Sequence, residues 1–433
     1  MKIKFHAVFY KYFVLRFIFF LTLLTSVWII RFPFIFKKIY GEDGALFISD
    51  ALSIEFPSDL FKPAAGYSTL IMRLGGRFVS LFPLELSAIM CGLFAAFCLS
   101  LLAAGVFKYN NLSTQKFLPR LTLSLCFLFL PLASFSAIGN LTNLYIYFMI
   151  ASAVFLYYNE VSKSEAVFKS FVLFIAALSL PLVIFLIPIL IHRNINHKKT
   201  MGGIRILKSE LVFILGVLFQ LAFIYFKAFG ERIPNNPQSI FKVAYLFVER
   251  GIGTSLVPAW GFVSGNSEVF RYENAFFLWD SVATRLLTIF VLAATILLLF
   301  RNYKIHLFNA RNEQIFLLSL LSIVYSLLIG LFFNPEPRYM MFTSFLTCWI
   351  IILIFESRQN NKINTSINLY LIFVLVLGLT ASSHRSEGLE WRSELAKAEK
   401  KCIKMRPSDT IKIQTSPASA FWVFELSCKK LIQ

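Results

Sequence analysis

What most constrains this chain is the recurrence of apolar runs too long for buried strands and too uniform for the two-faced helices of a water-soluble core. Windows long enough to cross ~30 Å of hydrocarbon as a helix fall at Tyr12–Ile30, Glu85–Phe107, Leu118–Ala137, Leu141–Tyr158, Ser209–Lys227, Ser281–Phe300, Gln314–Phe333, Tyr339–Glu356 and Ile367–Ser383. No water reaches the hydrocarbon, so backbone groups there must pair within their own segment, and the helix is the spanning form. Composition agrees. Of the 433 residues, 58% are hydrophobic and 15% charged, against ~25% charged in soluble domains. One polytopic membrane body is therefore expected, instead of two or three soluble domains.

A tenth window, Ser170–Ile191, has Lys163 and Lys169 before it and Arg193, Lys198, Lys199, Arg205 and Lys208 after it. Basic residues stay on the cytoplasmic side during insertion, so both ends belong to one side. The window is split near Ser179–Pro181 into two short half-helices that enter and return, proline breaking the helix there. The result is an all-α polytopic protein of about eleven hydrophobic elements. The N-terminal window has Lys2, Lys4 and Lys11 before it and Arg16 in its first turns, and Arg31-Phe32-Pro33-Phe34 follows it in place of a small-residue cleavage site. It reads as an uncleaved first span.

This layout explains most of the formal net charge of +19, because the basic residues gather on the short loops assigned to the cytoplasm. The N-terminus then lies inside, and the segment from His384 outside. Residues 1–383 form the membrane body, with external loops at 31–83 and 228–280, and residues 384–433 form a small external module. In that module Glu390–Lys401 is helix-prone, Thr410–Thr415 alternates with Ile411 and Ile413 on one face, and Phe421–Leu426 is strand-like. Cys402 and Cys428 bracket this hairpin, and an oxidising exterior would let them close it as a disulfide; free thiols are the alternative. Cys91, Cys98, Cys126 and Cys348 lie in apolar runs and read as small buried hydrophobes.

Candidate chemistry lies on the external side. Gly41-Glu42-Asp43-Gly44 places two carboxylates between glycines that let the backbone approach a ligand. Either carboxylate suits a general base for a sugar hydroxyl, and a solvated turn is the plainer alternative. Further on, Tyr67, Leu70, Leu74, Phe78 and Leu81 fall on one helical stripe, with Arg73 and Arg77 on its flank. This reads as an amphipathic helix in the outer interface, weakened by Gly75-Gly76 at roughly 1 kcal/mol each. The arginines suit a phosphate or, alternatively, lipid headgroups. Arg338 and Tyr339 follow two prolines in a stiff turn, Asn334–Arg338. In the tight turn Gly139-Asn140-Leu141-Thr142-Asn143, the Asn140 and Asn143 amides suit sugar hydroxyls or act as helix caps.

Other chemistries want for residues. His6, His192, His197, His306 and His384 form no pair at metal-ligand spacing, so no metal site is implied. There is no Walker A pattern, and Gly251-Ile252-Gly253 is only a fragment of a dinucleotide-binding motif. The basic residues are scattered over short loops instead of forming one face, against nucleic-acid binding.

Taken together, Gly41-Glu42-Asp43-Gly44 with Phe47, Gly66-Tyr67 and Arg73 before the second span, Pro337-Arg338-Tyr339, and the break at Ser179–Pro181 resemble bacterial membrane glycosyltransferases of the GT-C architecture. Within that group, the size and external tail are similar to the serotype-converting O-antigen glucosyltransferases. The resemblance implies an acidic base in the first external loop, Asp43 with Glu42 next in line. It also implies a polyprenyl-phosphate sugar donor, a cell-envelope glycan acceptor and no cofactor or divalent metal. Arg73, Arg77 or Arg338 would bind the departing lipid phosphate, and Tyr67, Asn140, Asn143 and Tyr339 the substrates. An O-antigen polymerase is the runner-up. A lipid-glycan flippase comes third, since the span centres hold almost no charge.

Overall fold

The computed structural model describes residues 2–64, 66–110, 116–133, 137–158, 162–201, 207–227, 247, 251–252, 310–332, 337–356, 361–379, 388–416 and 422–432. The expected span at 281–300 and nearly all of the loop at 228–280 lie outside them. The described chain is mostly helical. Its helices are α1 (Lys2–Arg31), the short α2 (Ser49–Ser53), α3 (Leu70–Val79), α4 (Ser87–Tyr109), α5 (Phe117–Phe129), α6 (Leu144–Tyr157), α7 (Lys163–Ala177), α8 (Ile187–Met201), α9 (Lys208–Lys227), α10 (Ala310–Phe332), α11 (Pro337–Glu356) and α12 (Asn361–Gly378).

Among the described residues six helical segments are long and apolar enough to cross a bilayer: Tyr12–Arg31, Leu84–Tyr109, Lys208–Phe226, Asn312–Ile329, Arg338–Glu356 and Asn361–Gly378. Their outward faces are apolar. Leu15, Ile18 and Phe19 on α1, Leu211, Leu215 and Phe219 on α9, and Leu369, Phe373 and Val376 on α12 are all exposed, an arrangement water would oppose and lipid favours. The protein is thus a helical membrane protein.

The count of about eleven elements is not reached among the described residues, for physical reasons that differ by window. α5 stops at Phe129 and does not run to Ala137, because Pro131 follows and disfavours the helical conformation at the residue before it. α6 has only 14 residues, and every one of them is buried. A helix enclosed by protein need not match the bilayer thickness, and irregular backbone beside it is tolerated for the same reason. α6 packs against α4, α7, α8 and α11. α4 contacts α1, α5 and α6 and buries many small residues, among them Cys91, Gly92, Ala95, Ala103 and Gly105. In apolar solvent such residues let helices approach closely. At Gly105 an added Cβ would stand 2.5 Å from the ring of Phe155.

The break expected at Ser179–Pro181 is present. α7 ends at Ala177, Pro181 opens a 3-10 turn to Leu186, and α8 continues from there. The break has a use. The Leu178 carbonyl accepts the Leu70 N–H (3.1 Å) and the Ser179 hydroxyl accepts the Ile71 N–H (3.0 Å), satisfying two of the amides a helix start leaves orphaned. The interrupted window therefore caps α3. At the other end of the bundle, Glu165 pairs with Lys108 at 2.8 Å, Glu210 with Arg193, and Glu313 approaches His192 at 3.4 Å. Those acids tie helix ends together within the basic end of the molecule.

The tail forms α13 (Trp391–Cys402), β1 (Thr410–Gln414), β2 (Val423–Ser427) and α14 (Cys428–Ile432). β1 and β2 pair antiparallel, Thr410 opposite Ser427 and Gln414 opposite Val423, with Ile411, Ile413, Phe424 and Leu426 on the buried face. Cys402 and Cys428 form a disulfide. The module does not stand apart from the body. The Trp391 N–H bonds the Lys37 carbonyl (2.9 Å) and its indole N–H the Leu84 carbonyl (2.6 Å). Gly41 N–H bonds the Ser416 carbonyl (2.8 Å), and Ser416 N–H that of Ile39 (2.9 Å).

Candidate active site

The motif around Glu42 and Asp43 lies in the loop after α1, against the starts of α6 and α11. Its two glycines act differently from expectation. A Cβ on Gly41 would stand 2.4 Å from the Trp422 ring, and one on Gly44 would stand 2.9 Å from the Thr415 methyl. They admit the tail, not a ligand. Asp43 to Ile48 then forms a π-helical turn, a local widening that recurs at functional sites.

Adjacent residues on a helical turn point about 100° apart, and here the two carboxylates part company. Asp43 is fully buried. Its carboxylate accepts the Leu141 N–H at 3.0 Å, the Thr142 N–H at 2.8 Å and the Thr142 hydroxyl at 2.5 Å. It thereby anchors the turn that Gly139 makes at a φ of 64°. Asn140 and Asn143, expected to face hydroxyls, are buried in the same turn. The Asn140 side-chain amide oxygen accepts the Asn143 N–H (3.1 Å), closing the turn that leads into α6. Glu42 is only partly covered and faces Arg338, its carboxylate 3.9 Å from the guanidinium.

Arg73 and Arg77 both turn toward acidic residues of the first loop. Arg73 is buried and donates to Asp50 at 2.6 Å, over the Phe47 ring at 5.4 Å. Lys62 holds the same carboxylate at 2.6 Å. Arg77 donates to Asp59 at 3.0 Å and to the Ile54 carbonyl at 3.0 Å. Both guanidiniums are thus engaged by carboxylates of the first loop, where a role on a lipid phosphate was expected. Gly75 and Gly76 are the reason α3 can lie so close. A Cβ on Gly76 would stand 2.4 Å from the Phe47 carbonyl oxygen, and one on Gly75 2.8 Å from Leu141. The adjoining stripe, Leu70, Leu74, Phe78 and Leu81, is half-buried to exposed, consistent with an outward apolar face.

Arg338 is the remaining candidate cation. Pro337 and Arg338 open α11, and the guanidinium also lies 5.3 Å from the Tyr339 ring. Tyr145, at the second position of α6, is within electrostatic reach of Tyr339, Arg338, Tyr67 and Glu42. The arrangement is one carboxylate, one guanidinium and three phenols drawn from the first loop, α6 and α11. Among the described residues no three His, Cys, Asp or Glu side chains converge as metal ligands. Tyr145, Asp50 and Asp59 were not singled out from sequence. Tyr145 is hidden in an apolar run, and the two aspartates reveal themselves only through their partners.

The chain matches no known family model, no curated protein and no solved structure.

Proposed function

We propose that this membrane protein is a glycosyltransferase of the GT-C kind, acting on the external face of a bacterial inner membrane. Its N-terminus would lie in the cytoplasm and its tail in the periplasm. Nucleotide sugars do not reach that face, so the donor is a polyprenyl-phosphate sugar, and the acceptor is a glycan of the cell envelope such as O-antigen. The observation that supports this reading is the approach of the Glu42 carboxylate to the Arg338 guanidinium, beside the Tyr339 ring at the start of α11.

Glu42 is the base and Arg338 the phosphate ligand in this mechanism. Glu42 takes the proton of an acceptor hydroxyl as its oxygen attacks the anomeric carbon. The bond from that carbon to the phosphate oxygen breaks, and its electron pair leaves with the polyprenyl phosphate. Arg338 stabilises the charge that gathers there, a bidentate partner for phosphate. To do so it turns from Glu42 to the donor, which also leaves the carboxylate able to accept a proton. Asp43 is a positioning residue in this scheme, fixing the turn that starts α6 and hence Tyr145.

The test is transfer from polyprenyl-phosphate hexoses to a lipid-linked acceptor by the purified protein in nanodiscs. Glu42→Gln should abolish transfer while folding as wild type does. Equal transfer by Glu42→Gln and wild type would sink the assignment. Loss with Arg338→Ala alone, both carboxylate variants staying active, would favour the polymerase.

A further inference from the structure

We infer that Arg16 and Arg120 together bind the phosphate of an anionic phospholipid, at the end of the bundle away from the candidate active site. A charged side chain inside a span is costly and marks a partner or a ligand. Arg16 is such a residue. It lies within the apolar segment Tyr12–Arg31, about 6 Å along the helix from Tyr12. Its helix neighbours divide: Tyr12 and Phe19 are exposed, whereas Phe20 is buried with its ring 6.3 Å from that of Phe107 on α4. Arg16 therefore stands at the seam between the lipid-facing and the packed side of α1.

Phe107 brings the second arginine to the same place. The Arg16 guanidinium lies over the Phe107 ring at 4.8 Å, and Phe117, at the start of α5, meets that ring edge-on at 5.5 Å. Arg120 follows Phe117 by about one helical turn, on the same face, and is within electrostatic reach of Arg16. Like charges beside lipid repel, and the fold does not offset these two. Among the described residues neither guanidinium meets a carboxylate or donates a hydrogen bond, and the Arg120 Nε–H is buried without an acceptor. Glu165 of α7 is held by Lys108 at 2.8 Å, and Lys169 donates to the Tyr158 carbonyl at 2.8 Å. A buried donor left unmade costs stability, so the pair calls for an anion from outside.

The chemistry suits a phosphodiester, whose two free oxygens accept from two guanidiniums at once. A soluble phosphate shares that chemistry. What favours a lipid is the flank, since Leu15 and Phe19 on α1 and Phe117 on α5 are exposed beside the arginines and offer acyl chains a surface. Basic pockets between spans are suited to such headgroups. Snorkelling alone would carry Arg16 outward to water, whereas its guanidinium is turned onto Phe107.

The test is native mass spectrometry of the full-length protein with equimolar phosphatidylglycerol and phosphatidylcholine bearing the same acyl chains. Wild type should retain phosphatidylglycerol about ten-fold more strongly. Arg16→Gln and Arg120→Gln should each cut that preference several-fold and together abolish it. Lys163→Gln, the same change of charge at an exposed site on α7, should keep it. Equal retention of the two lipids by wild type overturns the inference. So does an equal loss in Lys163→Gln, which would mean general attraction to a basic surface. Melting in detergent separates lipid from free anion: phosphatidylglycerol should raise the wild-type melting temperature, and inorganic phosphate and glycerol phosphate should not. Stabilisation by either soluble anion would put a free ligand in place of the lipid and overturn it. Without added lipid, Arg120→Gln should melt no lower than wild type, because it loses only repulsion. A lower melting temperature with the lipid preference intact would make Arg120 structural and overturn the site.

Discussion

Glu42 and Asp43 are chemically near-identical neighbours, and their different surroundings separate their roles. Replacing Asp43 with Asn removes the charge that three donors share inside the fold. It should lower stability by about 1–3 kcal/mol, seen as a lower melting temperature, with transfer per folded molecule largely kept. Replacing Glu42 with Gln should leave melting unchanged and cut kcat by about 10²–10⁴-fold. The Arg73 and Asp50 pair gives a second residue-scale expectation. Arg73→Met alone leaves a buried carboxylate with only Lys62, a loss of about 3–5 kcal/mol, and adding Asp50→Leu should recover much of it in a double-mutant cycle. The sequence showed which side chains of the first loop carry charge. It did not show that Arg73 meets Asp50 and Arg77 meets Asp59, because those pairings span 23 and 18 residues of irregular loop, where no periodicity connects partners.

At the scale of elements, α3 is where helix propensity and packing oppose each other. Gly76→Ala adds helix propensity of about 1 kcal/mol, yet its methyl would collide with the Phe47 carbonyl, a backbone atom that cannot swing away. Packing should win, so Gly76→Ala should melt lower than wild type; a gain in melting temperature would mean α3 is not held against the π-helical turn. Long spans and the break at Ser179–Pro181 were legible in sequence because both are local, one written in hydropathy and the other in a proline. The ends of α5 and α6 were not. A run of apolar residues looks alike whether lipid or protein surrounds it, and only the enclosing helices decide that α6 is buried on every side. For the same reason Tyr145 passed as one more apolar position.

For the molecule as a whole, the tail is part of the first loop's packing. The disulfide closes a segment of 26 residues, which by loop entropy is worth roughly 3 kcal/mol to the module. Cys402→Ser should loosen it, exposing the tail to protease and lowering transfer as the bond between Gly41 and Ser416 weakens. A module that was cut faster yet left transfer untouched would separate the tail from the site. The helix, hairpin and bridged cysteines were readable from alternation and spacing, but their docking was not, since the glycines that receive the tail look in sequence like glycines that receive a ligand. Docking also has a consequence in time. Ser49 and the Glu425 carbonyl it bonds are 376 residues apart, so the first loop emerges early in synthesis and waits through that whole stretch before its cover arrives. A nascent copy not yet extended to the hairpin would hold Glu42 without the contact that fixes Gly41, and the proposed transfer would begin only once the hairpin had been made.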